Sequence, residues 1–266
     1  MSVLDDVIAD LSAEGDQLRT TVAALDADAW RTTTPAEGWD VATTVAHLLW
    51  TDEVAVLAAG ALADDAGKQA WDAVVLLAIE DPTGFVDTEA LRIGAAAPDE
   101  LLARWDAARP ALVQALRDYP DGAKMPWFGP PMAPTSMATA RFMETWAHAL
   151  DVYDALGVRP EVTDRIKHVA HIGVRTRNFA YANNGLDAPA EEFRVELTAP
   201  SGTLWTWGPP DAPQRVSGAS YEFCQLVTQR IHRDDTGLKA VGDDAEKWLT
   251  IAQAFAGPAG GGRDPR

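Results

Sequence analysis

The chain has 266 residues, of which 47% are hydrophobic and 23% charged, an ordinary composition for a globular protein with one or two cores. Its 40 Asp and Glu outnumber its 22 Lys and Arg, which gives a net charge of -18. Because so negative a chain repels phosphate groups, we expect neither nucleic acid nor a membrane as partner. Cys224 is the only cysteine, which excludes an intrachain disulfide and a thiolate-rich metal site.

The N-terminus carries Asp5, Asp6 and Asp10 and lacks the basic segment and apolar stretch of a signal peptide. The longest strongly apolar stretch, about 74–79, is far shorter than the ~20 residues that a membrane span needs. We therefore expect a cytoplasmic protein.

Helical spacing of apolar residues predicts helices through the first two thirds of the chain. Asp40 is a good N-cap, Gly157 is typical of a left-handed C-cap, and Pro110 should kink or divide the helix that contains it. The predicted helices span 4–25, 40–59, 63–80, 99–119, 136–156 and 163–183.

After this helical part the spacing changes. Apolar and polar residues alternate over 193–198, which predicts a strand, and 204–207 is the returning strand of a hairpin. Two helices are predicted at 220–233 and 244–256, before a Gly- and Pro-rich tail, 257–266, that we expect to be disordered. The predicted fold is mainly α, with a helical bundle at 1–160 and a smaller α/β domain at 161–256.

A pair of possible metal ligands lies on the predicted helix 136–156. Glu144 and His148 are four residues apart, so their side chains share one face of the helix. The spacing alone is weak evidence, because Asp164 and His168 repeat it where Asp164 is an ordinary helix-start residue. The same pattern therefore fits either a chelating pair or chance.

His47 lies in the middle of a helix among apolar neighbours, so it points towards the buried seam. It could be a core histidine bonded to a Thr or a backbone carbonyl. It could instead join Glu144 and His148. Two His and one carboxylate from facing helices would form an open site with a position left for water or substrate.

Two motifs carry a family resemblance. Gly38-Trp39-Asp40-Val41, followed by Val45-Ala46-His47-Leu48, resembles the entry to the second helix of the DinB-like metalloprotein superfamily. Glu144-Thr145-Trp146-Ala147-His148, with Asp151-Val152, resembles the second metal motif of that superfamily. More narrowly, the chain resembles the mycothiol-dependent maleylpyruvate isomerase branch, including the loop Trp127-Phe128-Gly129.

The second half carries weaker motifs of the same branch. Val216-Ser217-Gly218, Arg230 and Val241-Gly242-Asp243 are similar to its small sterol-carrier-like α/β domain. The resemblance implies a DinB-like four-helix bundle at 1–160, of the up-down-down-up type, and a sterol-carrier-like domain at 161–256.

For the site, the resemblance implies that His47, Glu144 and His148 bind one divalent metal ion, most often zinc, with nickel, manganese or iron as alternatives. Mycothiol, or a related low-molecular-weight thiol, would be held there as a thiolate and would react with a small-molecule substrate. Trp127 and Phe128, on the Pro-rich loop before the metal helix, are expected to line the cofactor pocket.

Three functions follow from this site: a thiol-dependent transferase or isomerase acting on a small electrophile, a metal-dependent hydrolase that uses bound water, and a non-catalytic metal-binding stress-response module. No residue can be assigned as a catalytic acid or base, and the segment 62–97 has no counterpart in the resemblance. The oligomeric state stays open.

Several further residues have two possible roles. Asp151, one turn beyond His148, either orients a metal-bound imidazole or is a solvated or bundle-bridging residue. His168 and His171, followed by Arg175 and Arg177, either line the pocket or belong to an ordinary packing face. Cys224 is expected to be buried as a small hydrophobic side chain, and His232 to lie at the surface.

Overall fold

A computed structural model describes residues 2–265. The chain forms two compact units, Met1–Arg159 and Pro160–Arg266. The first is helical, and the second combines short helices with a small sheet. The expected fold class, mainly α with a smaller C-terminal α/β part, is confirmed.

The first unit is built from six helices. Asp40 caps one of them by accepting a hydrogen bond from the Thr43 backbone at 2.7 Å, and Gly157 ends the last one in the left-handed conformation. The helices are α1 (Val3–Ala23), α2 (Val41–Gly60), α3 (Asp65–Glu80), α4 (Phe85–Gly94), α5 (Pro98–Asp118) and α6 (Pro134–Leu156).

The four long helices α1, α2, α5 and α6 pack together as a bundle. α2 packs most extensively against α5 and α4, and α6 packs most extensively against α1. By length and composition α2 could cross a membrane, yet 83% of its apolar window is buried inside the protein. It is apolar all round because other helices cover it on every side.

Two details of this unit differ from the sequence-based expectation. α5 continues through Pro110 without division, because losing one backbone hydrogen bond does not outweigh the packing of this helix on α2. The segment 62–97 contains not one helix but two, α3 and α4, separated at Asp81-Pro82. α4 lies so close to α2 that a Cβ added to Gly94 would be 2.9 Å from Thr43 Cα.

The second unit holds a four-stranded sheet in the order β2-β1-β3-β4. β1 (Arg194–Thr198) pairs antiparallel with β2 (Leu204–Trp207) as the expected hairpin, and parallel with β3 (Arg215–Ala219), which in turn pairs antiparallel with β4 (Lys239–Val241). The last two strands were not expected. β3 is rich in small residues, Ser217, Gly218 and Ala219, and shows no apolar alternation, while β4 has only three residues.

The helices of the second unit are shorter than expected. The predicted helix 163–183 is a 3-10 turn followed by α7 (Lys167–Arg175) and α8 (Arg177–Asn183), with a break at Thr176. Thr176 donates its hydroxyl hydrogen to the carbonyl of Ile172, a local bond that competes with helical pairing. α9 (Ser220–Val227) and α10 (Asp243–Ile251) end before 233 and 256. Disorder of the tail 257–266 stays a prediction.

Candidate metal centre

α2 and α6 bring together the three side chains that the sequence singled out. Nε2 of His47 and Nε2 of His148 each lie 3.4 Å from the same carboxylate oxygen, Oε2 of Glu144. One ligand atom from each of the three residues lies within 4.8 Å of the other two. His47 is buried, whereas the side chain of Glu144 keeps 24% of its surface exposed. The group therefore has a buried side and an open side.

Electrostatics leaves His47 and Glu144 in the charge states that metal ligands need. Burial lowers the pKa of His47 to about 4, although the hydrogen bond with Glu144 opposes this effect. Burial alone would raise the pKa of Glu144, but hydrogen bonds from His148 and His47 outweigh it and hold that pKa well below its usual value. At neutral pH the site thus offers a neutral His47 and a carboxylate anion.

The two imidazoles differ in the surroundings of Nδ1, the ring nitrogen that does not face Glu144. Nδ1 of His148 lies 3.3 Å from Oδ2 of the buried Asp151. A metal on Nε2 would require the ring proton on Nδ1, where Asp151 would accept it, the usual arrangement behind a metal-bound histidine. Nδ1 of His47 is buried without a hydrogen-bond partner among residues 2–265. The alternative of a core His47 held by a Thr or a carbonyl is not what the structure has.

Trp39 covers both imidazoles. Its ring stacks on His148, with centroids 5.5 Å apart, and tilts against His47 at 5.1 Å. A short turn places it there, since Gly38 adopts a positive φ of 76° and the Trp39 carbonyl accepts a hydrogen bond from Thr34 at 2.9 Å. The motif around Trp39 was visible in the sequence, but its role as a cover over the imidazoles was not.

The donor set fits a divalent transition metal. Two imidazole nitrogens and one carboxylate oxygen are ligands that zinc commonly takes. With metal–ligand bonds of about 2.0–2.2 Å, two ligand atoms at neighbouring corners of a tetrahedron lie about 3.4 Å apart, and this separation is the edge of the tetrahedron. The two observed nitrogen–oxygen separations equal that edge. Three protein ligands would leave a fourth position free for a small molecule, as in catalytic sites.

A second polar group lies between the same two helices. Arg141 of α6 donates from Nε to Oδ1 of Asp52 on α2 at 3.0 Å, and Trp105 of α5 donates from Nε1 to Oδ2 at 3.3 Å. Burial raises the pKa of Asp52, although Arg141 and Trp105 act in the opposite direction. This group was not predicted from the sequence, where its only signal is a charged residue inside each of two apolar helices.

The Pro-rich loop packs on the segment that the sequence could not place. The backbones of Met125 and Met132 pair and close this loop. Trp127 stacks with Trp71 of α3 at 6.2 Å, while Phe128 meets Trp71 at 5.4 Å and Phe85 of α4 at 5.2 Å. Phe85 in turn contacts Trp50, one turn along α2 from His47. The role of Trp127 and Phe128 in a cofactor pocket stays a prediction.

The remaining candidates lie in the second unit. His171 accepts a hydrogen bond from Trp207 at 3.2 Å, which gives this imidazole a local structural role. His232 accepts one from the Asp234 backbone as the cap of a 3-10 turn. Cys224 is buried, and burial raises the pKa of its thiol well above the usual value. It is the small buried side chain that the sequence indicated.

The fold and the converging donors define a helical-bundle protein with a candidate three-ligand metal centre. The family model of the mycothiol maleylpyruvate isomerase N-terminal domain matches residues 11–153, and the chain belongs to this family. A second family model, described as wyosine base formation, matches residues 189–236. That second match spans too little of the chain to define a family.

The chain is also similar to two relatives of unassigned function and to two solved structures. The chain is 53% identical over 256 residues to proteins from two strains of Mycobacterium tuberculosis, H37Rv and CDC 1551 / Oshkosh, across 96% of this chain and 97% of theirs. Both relatives bear only the name uncharacterized protein. That name carries neither a family nor an activity.

Among solved structures, the mycothiol-dependent maleylpyruvate isomerase aligns with a TM-score of 0.59 and 14% identity, over 89% of this chain and 92% of that one. A histidine-to-alanine mutant of that enzyme aligns with a TM-score of 0.56 and 15% identity, over 85% and 89%. At such identities the likeness shows a shared fold.

Proposed function

We propose that this chain is a cytoplasmic, metal-dependent enzyme that uses mycothiol, or a related low-molecular-weight thiol, to transfer or isomerise a small electrophilic substrate. The observation that carries the proposal is the convergence of His47 Nε2 and His148 Nε2 on Glu144 Oε2, each at 3.4 Å. Membership of a family named for a mycothiol-dependent isomerase supports the choice of thiol.

His47, Glu144 and His148 would hold the ion, with zinc the first candidate. Such an ion supplies a Lewis acid that lowers the pKa of a coordinated thiol, so that its sulfur is anionic at neutral pH. Metal coordination requires neutral imidazoles, so the ligand set would then carry the single negative charge of Glu144. The low pKa of His47 favours this state. A divalent cation in this set keeps a net positive charge, which favours an anionic sulfur over a neutral thiol.

The chain's own residues keep the site ordered and partly dry. Asp151 orients the imidazole of His148, and Trp39 shields both imidazoles from water on one side. The exposed part of Glu144 marks the side from which a thiol would enter. Trp127 and Phe128 would form an apolar wall for that thiol or its substrate.

An external thiol is needed because the chain supplies no suitable sulfur of its own. Cys224 is its only cysteine. Its thiol is buried, and its pKa is raised well above the usual value. A neutral, inaccessible thiol is a poor nucleophile.

Calorimetric titration of mycothiol tests the proposal. We expect binding to the zinc-loaded wild-type protein, and loss of that binding in His47→Ala and in the metal-stripped protein. His232→Ala, a histidine change in the second unit, serves as the matched control and should bind as the wild type does. Equally tight binding of mycothiol by metal-free protein would refute the proposal. Turnover of esters or amides without any added thiol would instead favour a hydrolase.

A further inference from the structure

A buried ion pair joins the two helices that carry the candidate ligands. Beyond the bond from Arg141 to Asp52, Nη2 of Arg141 lies 3.4 Å from the carbonyl oxygen of Leu48 on α2. The side chains of Arg141 and Asp52 are only 3% and 6% exposed. With the bond from Trp105, this group connects α2, α5 and α6 at one point.

The contacts of Arg141 lie close to the candidate metal ligands along both α2 and α6. Arg141 precedes Glu144 by three residues, about 4.5 Å along α6 at 1.5 Å per residue. Leu48, whose carbonyl faces Arg141, follows His47 immediately. A sliding of α6 against α2 would therefore break the contacts of Arg141 and shift His47 away from Glu144 at the same time.

The direct packing between α2 and α6 is limited. α2 packs most extensively on α5 and α4, and α6 on α1, so the contact between α2 and α6 is the lesser one for each. Apolar contacts have no preferred direction, whereas a guanidinium fork fixes its acceptors in place. Burying an ion pair costs several kcal/mol of desolvation, so its most direct use here is to specify one register.

We propose that Arg141 and Asp52 are positioning residues for the metal centre. They fix the register of α6 against α2, and thereby hold the donor atoms of His47 and Glu144 at chelating separation. Trp105 supports them by holding the second oxygen of Asp52. This inference rests on the metal site of the proposed function, and it assigns these residues a role in metal affinity beyond their role in folding.

The test compares zinc affinity, measured by competition with a chromophoric chelator, among variants that remain folded. The double variant Arg141→Met/Asp52→Leu replaces the ion pair by apolar side chains, an exchange that buried ion pairs often tolerate without loss of stability. We expect its zinc affinity to fall by about 10- to 100-fold, the range seen when residues supporting metal ligands are changed. The absorption spectrum of bound cobalt should change as well, because the ligand geometry relaxes.

A matched control separates positioning from stability. Leu116→Ala removes a fully buried side chain of α5 away from the ion pair, and it should lower the melting temperature while keeping zinc affinity within about twofold. A double variant with wild-type affinity and cobalt spectrum overturns the inference. So does a Leu116→Ala variant that loses as much zinc affinity as the double variant.

Two milder changes cover the case in which the double variant does not fold. Arg141→Lys keeps the charge without the fork, and Trp105→Phe removes the hydrogen bond to Asp52 together with part of the buried indole ring. Both should bind zinc more weakly than the wild type, and unchanged affinity in both overturns the inference. Failure of the wild-type protein to bind zinc would remove the proposed function and this inference together. Unchanged variants of a zinc-binding wild type would remove the inference alone.

Discussion

Asp151 lies 3.3 Å from Nδ1 of His148 and is 1% exposed, so replacing it tests whether it orients that imidazole for a metal. Loss of such a partner weakens metal binding by about 10- to 100-fold, or about 1.4–2.7 kcal/mol. Asp151→Asn retains an oxygen that can accept from Nδ1 but loses the charge, so we expect about tenfold. Asp151→Ala loses both and should approach 100-fold.

Zinc affinity in chelator competition is the assay, with Asp72→Asn as the control. The Asp72→Asn substitution also removes one negative charge, but from the exposed face of α3, where Asp72 pairs with Lys68. Its substitution should leave zinc affinity unchanged. Wild-type affinity in both Asp151 variants would refute the orienting role. A larger loss in Asp151→Asn than in Asp151→Ala would show that the charge and hydrogen-bond reasoning is wrong.

Three other measurements follow from the structure. Cys224 should react with a chromogenic disulfide reagent at pH 8 only after denaturation, because its thiol is buried and its pKa is raised; fast labelling of native protein would contradict this burial. Gly94→Ala should lower the free energy of unfolding, measured by urea denaturation, by about 1–3 kcal/mol, because the new Cβ would lie 2.9 Å from Thr43 Cα. Gly129→Ala is the control, since a Cβ added there has no atom within 4 Å. Trp127→Ala should weaken mycothiol binding without changing zinc content, and unchanged thiol binding would argue against a pocket wall.

Much of the first unit could be predicted from sequence because its signals are local. The N-cap at Asp40 and the glycine at Gly157 mark helix ends within a few residues of the atoms that they bind. The spacing of Glu144 and His148 likewise fixes their shared face without knowledge of the rest of the fold. For His47 the local pattern left two roles open, a core histidine or a third ligand, and only the family resemblance favoured the second.

The contacts that organise the site could not be predicted in the same way. Arg141 and Asp52 are separated by 89 positions in the chain, and nothing near either residue indicates its partner. The packing of Trp71 on Trp127 depends on how α3 folds back, and β3 and β4 exist only because β1 is there to pair with β3. Such pairings arise from tertiary context that a single sequence does not display.

The metal content of the purified protein tests the central claim most directly. Zinc should be titrated by calorimetry into metal-stripped protein and the bound ion counted by elemental analysis. We expect one ion per chain for the wild type and for His232→Ala, with tight binding lost in His47→Ala, Glu144→Ala and His148→Ala. A wild-type protein that binds no stoichiometric divalent ion, or three ligand variants that bind it as well as the wild type, would contradict it.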